Sequence, residues 1–398
     1  MENRHPYNDA FRQFVQDHLH DDPAHLLLSR KPGPEFDLKA AVHQIAMRQK
    51  AAGKLPAFCR EPGLIFPPSL SLEQSSSEMT AIFKKQLVAG KTFIDLTGGF
   101  GVDTYFMGRA FEKITYVEQQ EELVNIALHN FPLLFEANTY TIIHGDGLNY
   151  LAARSANYDC LFVDPARRGR GDQKLYKLQD CEPDVVSNWA LLQQKARQIL
   201  IKASPMLDLS MAKTEIPDIQ EMHILSVKNE VREVLLLYKS NLPATSTRIF
   251  AHELDPTGTH TFDFTFEEES AAQPRIEGPF GYLILPPAAV LKAGAFKTFA
   301  LRHGLAKLHP HTHLYTCGDL PADIPGRIFQ VMGEIKLNRK TIQTAFPDGK
   351  VNVLVRNHPL NAAELKSRYR LKDGGEDYLI ACTPADGRPR AYWCKRIK

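Results

Sequence analysis

Apolar positions along this chain keep two different rhythms. Across 1–60 they recur every three or four residues, in FRQFVQDHLHDDPAHLLL and FDLKAAVHQIAMRQKAAGKL, with the breaker KPGP between them. That spacing places them on one face of a helix. EPGLIFPPSLSLEQ, punctuated by prolines, is expected to be extended. A further helix is expected to open at SSSEMTAIFKKQL, where Ser75 and Glu78 stand at capping-box spacing. From 91 to 239 short apolar runs alternate with helical stretches: TFIDL, KITYVE, YTIIHGD, YDCLFVDP and QILIKAS, then EMHILSV and EVLLLYK as an antiparallel pair. Strands this apolar, joined by crossovers of about a dozen residues or more, predict a parallel sheet covered on both faces, a doubly wound α/β domain.

Past 239 the chain is expected to leave the sheet. Phe262, Phe264 and Phe266 alternate in TGTHTFDFTFEEES, as the buried face of a hairpin does. GYLILPPAAVLKAGAFKTFALRHGLAKLHPHTHLYTC reads strand, helix, strand, and the rest is strand-rich with one helix near 362–370. The expected organisation is a helical leader at 1–88, the sheet domain at 89–245, and two α+β domains at 246–322 and 323–398.

With 398 residues, 43% of them hydrophobic and 24% charged, the chain has material for two or three domains. No apolar run reaches the roughly 20 residues of a membrane helix, and MENRHPYNDAFRQF lacks the apolar segment of a signal peptide, so a cytoplasmic protein is expected. The six cysteines, with no CxxC or Cys/His ligand spacing, argue against a disulfide framework or zinc knuckle. His309, His311 and His313 lie in what reads as a loop entering a strand, and no metal is expected there. The net charge of +2 conceals an asymmetry: 323–398 holds 15 Lys/Arg against 8 Asp/Glu, while the remainder is acidic. A basic tail on a near-neutral body is the form an electrostatic handle for nucleic acid takes.

In doubly wound sheets ligands bind beyond the carboxyl ends of the strands, so the residues there are the candidates. The first strand ends in Asp95, Leu96, Thr97, Gly98, Gly99, Phe100 and Gly101, and glycines let a ligand approach the backbone without a Cβ in the way. The second ends in Glu118, an acid able to accept both ribose hydroxyls of a nucleoside. The third ends at Asp146 and Gly147, where the carboxylate can accept from an adenine amino group. The fourth ends in Asp164, Pro165, Ala166 and Arg167. A sheet that binds NAD needs the second-strand acid but not an Asp-Pro after the fourth. RRGRGDQKLYKL follows, with Arg167, Arg168 and Arg170 suited to phosphate contact.

Residues 91–240 resemble class I S-adenosylmethionine-dependent methyltransferases. Asp95 to Gly101 matches the DxGxGxG loop with Thr97 in place of its first glycine, Glu118 the ribose acid, Asp146 the adenine-side acid, and Ala127 and Asn130 an AxxN helix. On VDPARRGRG and VNVLVRNHPLNAAELKSRYRLKDGGEDYLIACT, the whole chain is similar to bacterial proteins that carry a C-terminal THUMP-like domain. The resemblance implies a Rossmann-like sheet with a helical leader and ferredoxin-like and THUMP-like C-terminal domains, S-adenosylmethionine as cofactor, and RNA as the methyl acceptor. It implies cofactor contacts by Asp95, Thr97, Gly98, Gly99, Gly101, Glu118, Asp146 and Gly147. Asp164 and Pro165 would hold an acceptor amine, and Arg167, Arg168 and Arg170 would contact the substrate. The familiar amino-methyltransferase motif follows Asp-Pro with Pro and an aromatic; here Ala166 and Arg167 stand there, and stacking falls to Arg167 or Tyr176. No cysteine ends the next strand, KASPMLD, which disfavours covalent methylation at a pyrimidine carbon and favours a base nitrogen. A small-molecule or protein acceptor, or an RNA-binding module without turnover, would keep the same cofactor residues.

Overall fold

The computed structural model describes residues 7–28, 36–135, 139–167, 177–243, 246–321 and 323–397. The chain divides into two units, Met1–Gln220 with Leu235–Ala244, and Glu221–Val234 with Thr245–Lys398.

The first unit is built on β1 (Thr92–Asp95), β2 (Lys113–Glu118), β3 (Thr139–His144), β4 (Tyr158–Val163), the short β5 (Ala166–Arg167) and β6 (Cys181–Glu182), and β7 (Ala196–Ala203). The order β7–β4–β1–β2–β3 is parallel throughout. Phe93, Ile94, Leu161, Val163, Leu200 and Ile201 are buried because crossover helices cover both faces. β5 and β6 pair antiparallel in a separate two-stranded ribbon.

Ahead of the sheet the leader folds as helices Asp9–Asp17, Pro23–Leu28, Leu38–Ala51, Pro56–Arg60, Ser69–Gln74 and Glu78–Lys85. Two details differ from the sequence reading. SLSLEQ is helical rather than extended, with Pro68 at its N-cap, where a missing N–H costs nothing. The following helix is capped by Ser77, whose hydroxyl accepts from the Thr80 N–H; Ser75 ends the preceding helix, and Glu78 instead accepts from Ala57 N at 2.7 Å. The leader shares a core with the sheet's own helices: Phe58 and Phe66 pack with Phe100, Phe106 and Ile126. Buried polar groups fix that contact. Arg48 donates to the carbonyls of Cys59, Glu61, Pro62 and Leu64, and the Asn130 amide exchanges two 2.9 Å hydrogen bonds with the Ile65 backbone.

The division of the chain falls inside β9 (Glu230–Lys239), which follows β8 (Glu221–Val227) through the two-residue turn Lys228–Asn229. Both turn residues have positive φ, as a tight antiparallel hairpin requires. β10 (Arg248–Asp255) pairs parallel with β8, and β11 (Gly258–Thr265) antiparallel with β10. The chain therefore returns to a sheet at 248 instead of leaving it. Phe262 and Phe264 are buried in β11, but Phe266 begins a helix, because Thr265 and Glu268 form a capping box that stops the strand.

The rest of this unit is one seven-stranded sheet. Its strands are β12 (Tyr282–Leu285), β13 (Ala306–His309), β14 (Thr312–Cys317), β15 (Arg327–Glu334), β16 (Asn352–Arg356), β17 (Asp377–Cys382) and β18 (Arg390–Arg396), in the order β13–β14–β12–β15–β18–β17–β16. Besides the expected helix Ala362–Tyr369 the tail contains Arg339–Ala345, capped by Asn338. It buries only Ile342, too little apolar pattern to be seen in the sequence. Among the described residues no helix is long and apolar enough to cross a membrane, and no cluster of three His, Cys, Asp or Glu could hold a metal.

Candidate active site

The turn after β1 is shaped by contacts that exclude side chains. A Cβ at Gly98 would lie 2.1 Å from the Tyr116 ring, and Gly101 caps the next helix with φ of +81°. The Tyr116 hydroxyl donates to the Gly99 carbonyl at 2.6 Å, and Gly99 N donates to Glu118 Oε2 at 2.8 Å. Glu118 Oε1 accepts from Gln120 N, also at 2.8 Å. Each carboxylate oxygen therefore keeps a lone pair for a further donor.

Asp95 is 1% exposed. Its Oδ1 accepts from Thr97 N at 2.9 Å and its Oδ2 from the Thr104 hydroxyl at 2.5 Å. Burial lifts this carboxyl to about 7, and the nearby Asp103 and Asp164 add to the rise. The Thr97 hydroxyl accepts from Asp164 N at 2.7 Å, so the residue that replaces the loop's usual first glycine ties the ends of β1 and β4 together.

Behind the loop sits a charge cluster. Lys84 Nζ lies 2.9 Å from Asp103 Oδ1, and Lys202 Nζ 2.5 Å from Asp164 Oδ2 and 3.6 Å from Asp103 Oδ2. The Ser76 hydroxyl joins Lys84, Lys202 and Asp103. Burial works to raise Asp103, but the two ammonium groups outweigh it and hold that carboxyl below its usual range. At Asp164 burial wins over Lys202 and the carboxyl rises. Asp164 keeps 35% of its side chain exposed, and Oδ1 has no partner among the described residues.

Apart from Lys84, the members of this cluster line a cavity of about 360 Å³. Its wall includes Asp95, Thr97, Gly98, Gly99, Gly101, Glu118 and Asp164, which the sequence singled out, and Ser76, Asp103 and Lys202, which it did not. A lysine ending an otherwise apolar strand, QILIKAS, was the available signal for Lys202; Lys84 resembles any last-turn lysine. Ser71, Gln74 and Ser75 of the leader also line the cavity. Asp146, Gly147 and Pro165 are not in its wall. Asp146 caps helix Gly147–Ala152 and accepts from Gln119 Nε2 at 2.9 Å, and it is Gln119 that reaches the cavity. Gly147 packs where a Cβ would meet the Leu96 carbonyl at 2.4 Å. Arg168, Arg170 and Tyr176 lie outside the described residues, and of Arg167 the backbone alone is described, paired with Cys181 in the ribbon.

Several known proteins and two domain families are similar to this chain. A ferredoxin-like domain model matches 282–325 and a THUMP domain-like model 326–396. Uncharacterized S-adenosylmethionine-dependent methyltransferases of Mycobacterium tuberculosis, strains CDC 1551 and H37Rv, are each 25% identical over 83% of this chain and 88% of theirs. The crystal structure of a candidate methyltransferase from Porphyromonas gingivalis W83 aligns over 98% of both chains with 33% identity and a TM-score of 0.88. Fold, cavity and relatives together define an S-adenosylmethionine-dependent methyltransferase. Within that class, the chain belongs to the family that carries ferredoxin-like and THUMP-like domains at the C-terminus.

The residues present fit the cofactor. A bare loop faces the cavity, Glu118 retains acceptor capacity for two hydroxyls, and Asp95 is a buried carboxyl with no cation beside it among the described residues.

Proposed function

We propose that this methyltransferase acts on a base nitrogen of RNA, in tRNA or rRNA. The observation that carries the reading is Asp164: a carboxylate anchored through one oxygen by Lys202, with the other unpartnered among the described residues, in the same cavity wall as the glycine loop and Glu118. S-adenosylmethionine supplies an electrophilic methyl group on a sulfonium. The chain's contribution is positioning. Glu118 would accept from the ribose hydroxyls, and Gln119, held by Asp146, would hold the adenine side. Thr97 and the glycines would hold the methionine end, where ionised Asp95 would balance positive charge. Asp164 Oδ1 would accept an N–H of the acceptor base and so aim the nitrogen's lone pair into the cavity, with the proton released to solvent; Pro165, outside the wall, would fix the turn that presents Asp164. Arg167, Arg168 and Arg170 contact phosphate. The THUMP-like match and the basic tail support RNA as the acceptor. The test is transfer of labelled methyl to RNA, protein and small-molecule fractions from a strain lacking this gene. Label confined to RNA is expected; label in another fraction with none in RNA rejects the reading.

A further inference from the structure

A second cavity, of about 930 Å³, is lined wholly by residues of the THUMP-like match, between the start of β15 and the end of β16. Two arginines line it, Arg327 at the start of β15 and Arg356 at the end of β16. Arg327 forms no hydrogen bond or ion pair among the described residues, and its Nε is buried without a partner. Arg356 donates to the carbonyl of its own neighbour, Val355, at 2.9 Å, and forms no ion pair among the described residues. The carboxylate in the lining, Asp373, is engaged by Lys366 Nζ at 2.6 Å. Burial lowers both arginines from their ordinary value; the charge of Arg327 depresses Arg356 further, and that of Arg396 depresses Arg327.

Half-buried like charges without a counter-ion are costly, and a fold keeps them where something else supplies the anion. Arginine's planar fork matches the oxygens of phosphate, and two arginines lining one concave site bind it more specifically than scattered surface lysines do. The lining adds neutral polar groups in Asn352, Tyr378 and Thr383. The tail's conspicuous basic run behaves differently: Arg368 and Arg370 are exposed, with Arg370 at the helix C-cap, so that run is a solvated face.

We propose that the Arg327–Arg356 cavity is a phosphate-binding site that receives a backbone or terminal phosphate of the RNA acceptor. This rests on the RNA reading above and adds a second point of contact to it. Titration of the full chain with a fluorescent single-stranded oligoribonucleotide, at several salt concentrations, tests it. Arg327→Ala and Arg356→Ala should each weaken binding about tenfold and lower the salt slope by about one; Arg327→Lys should recover the slope and only part of the affinity. Arg368→Ala should stay within twofold of the wild type. Because each alanine removes an uncompensated charge, melting temperatures in phosphate-free buffer should hold or rise, whereas a purely structural arginine would lower them. Wild-type binding that neither alanine variant changes overturns the proposal while leaving the RNA reading intact; absence of wild-type RNA binding together with absence of transfer to RNA removes the reading itself. If inorganic phosphate or a nucleoside monophosphate binds as tightly as the oligoribonucleotide and both variants abolish it, the site serves a free phosphate compound, and the assignment to RNA is overturned.

Discussion

At Asp95 burial and the neighbouring carboxylates act together to hold the proton on. Lys84 and Lys202 are matched by Asp103 and Asp164, which leaves Asp95 as the carboxyl without a cation among the described residues. Its folded value of about 7 exceeds the ordinary 3.8, so the folded protein binds this proton more tightly than the unfolded chain does. The stability it contributes is full below about pH 4 and is lost as pH rises through 7, up to ~4 kcal/mol. Asp95→Asn should flatten that dependence in urea unfolding between pH 5 and 8; parallel pH curves for both proteins would contradict the assignment. A bound cation favours the ionised form, so S-adenosylmethionine affinity should climb from pH 6 to 8 in the wild type and stay level in the variant. Glu118→Ala should weaken cofactor binding by about 1–3 kcal/mol in calorimetry, because it removes acceptors for two hydroxyls; unchanged affinity rejects that role. At this scale the sequence was most legible where chemistry follows a strand end. The acids of β1, β2 and β4 were visible that way, whereas Asp103, Ser76 and Lys84 meet through tertiary packing that no spacing encodes.

Among elements, the helices around the first sheet matter most for what they hold in place. Asp103, on helix Val102–Gly108, is gripped by Lys84 from the leader helix Glu78–Lys85 and by Lys202 from the end of β7. Lys84→Met leaves Asp103 with the longer Lys202 contact and should cost about 3 kcal/mol, since breaking a buried pair strands a charge; a loss under about 1 kcal/mol in chemical denaturation would show that the pair is not structural. The parallel strands were readable from continuous apolar runs, and the β8–β9 hairpin from its apolar pair. The return of β10 beside β8 was not, because pairing between segments some 20 residues apart depends on register, and Arg248–Asp255 alternates no differently from an independent hairpin. Serine-rich 75–77 misled for a related reason: each of three adjacent serines is a competent cap, and only packing selects Ser77.

For the whole molecule, the amino-acid pattern gave the class of domain at each end, and the asymmetry of charge pointed to the tail. The charge count could not separate solvated arginines from those enclosed in a cavity, since Arg368 and Arg356 look alike in sequence. In the proposed reaction one cavity divides its labour, with Glu118 and the glycine loop for the cofactor and Asp164 for the acceptor. The most direct test takes one preparation of Asp164→Ala and measures both S-adenosylmethionine affinity by calorimetry and methyl transfer to RNA. Asp103 remains to balance Lys202, so affinity should stay within about threefold of the wild type while transfer falls by about 10² or more. Transfer retained at the wild-type rate, or affinity and transfer falling together, would contradict that division of labour.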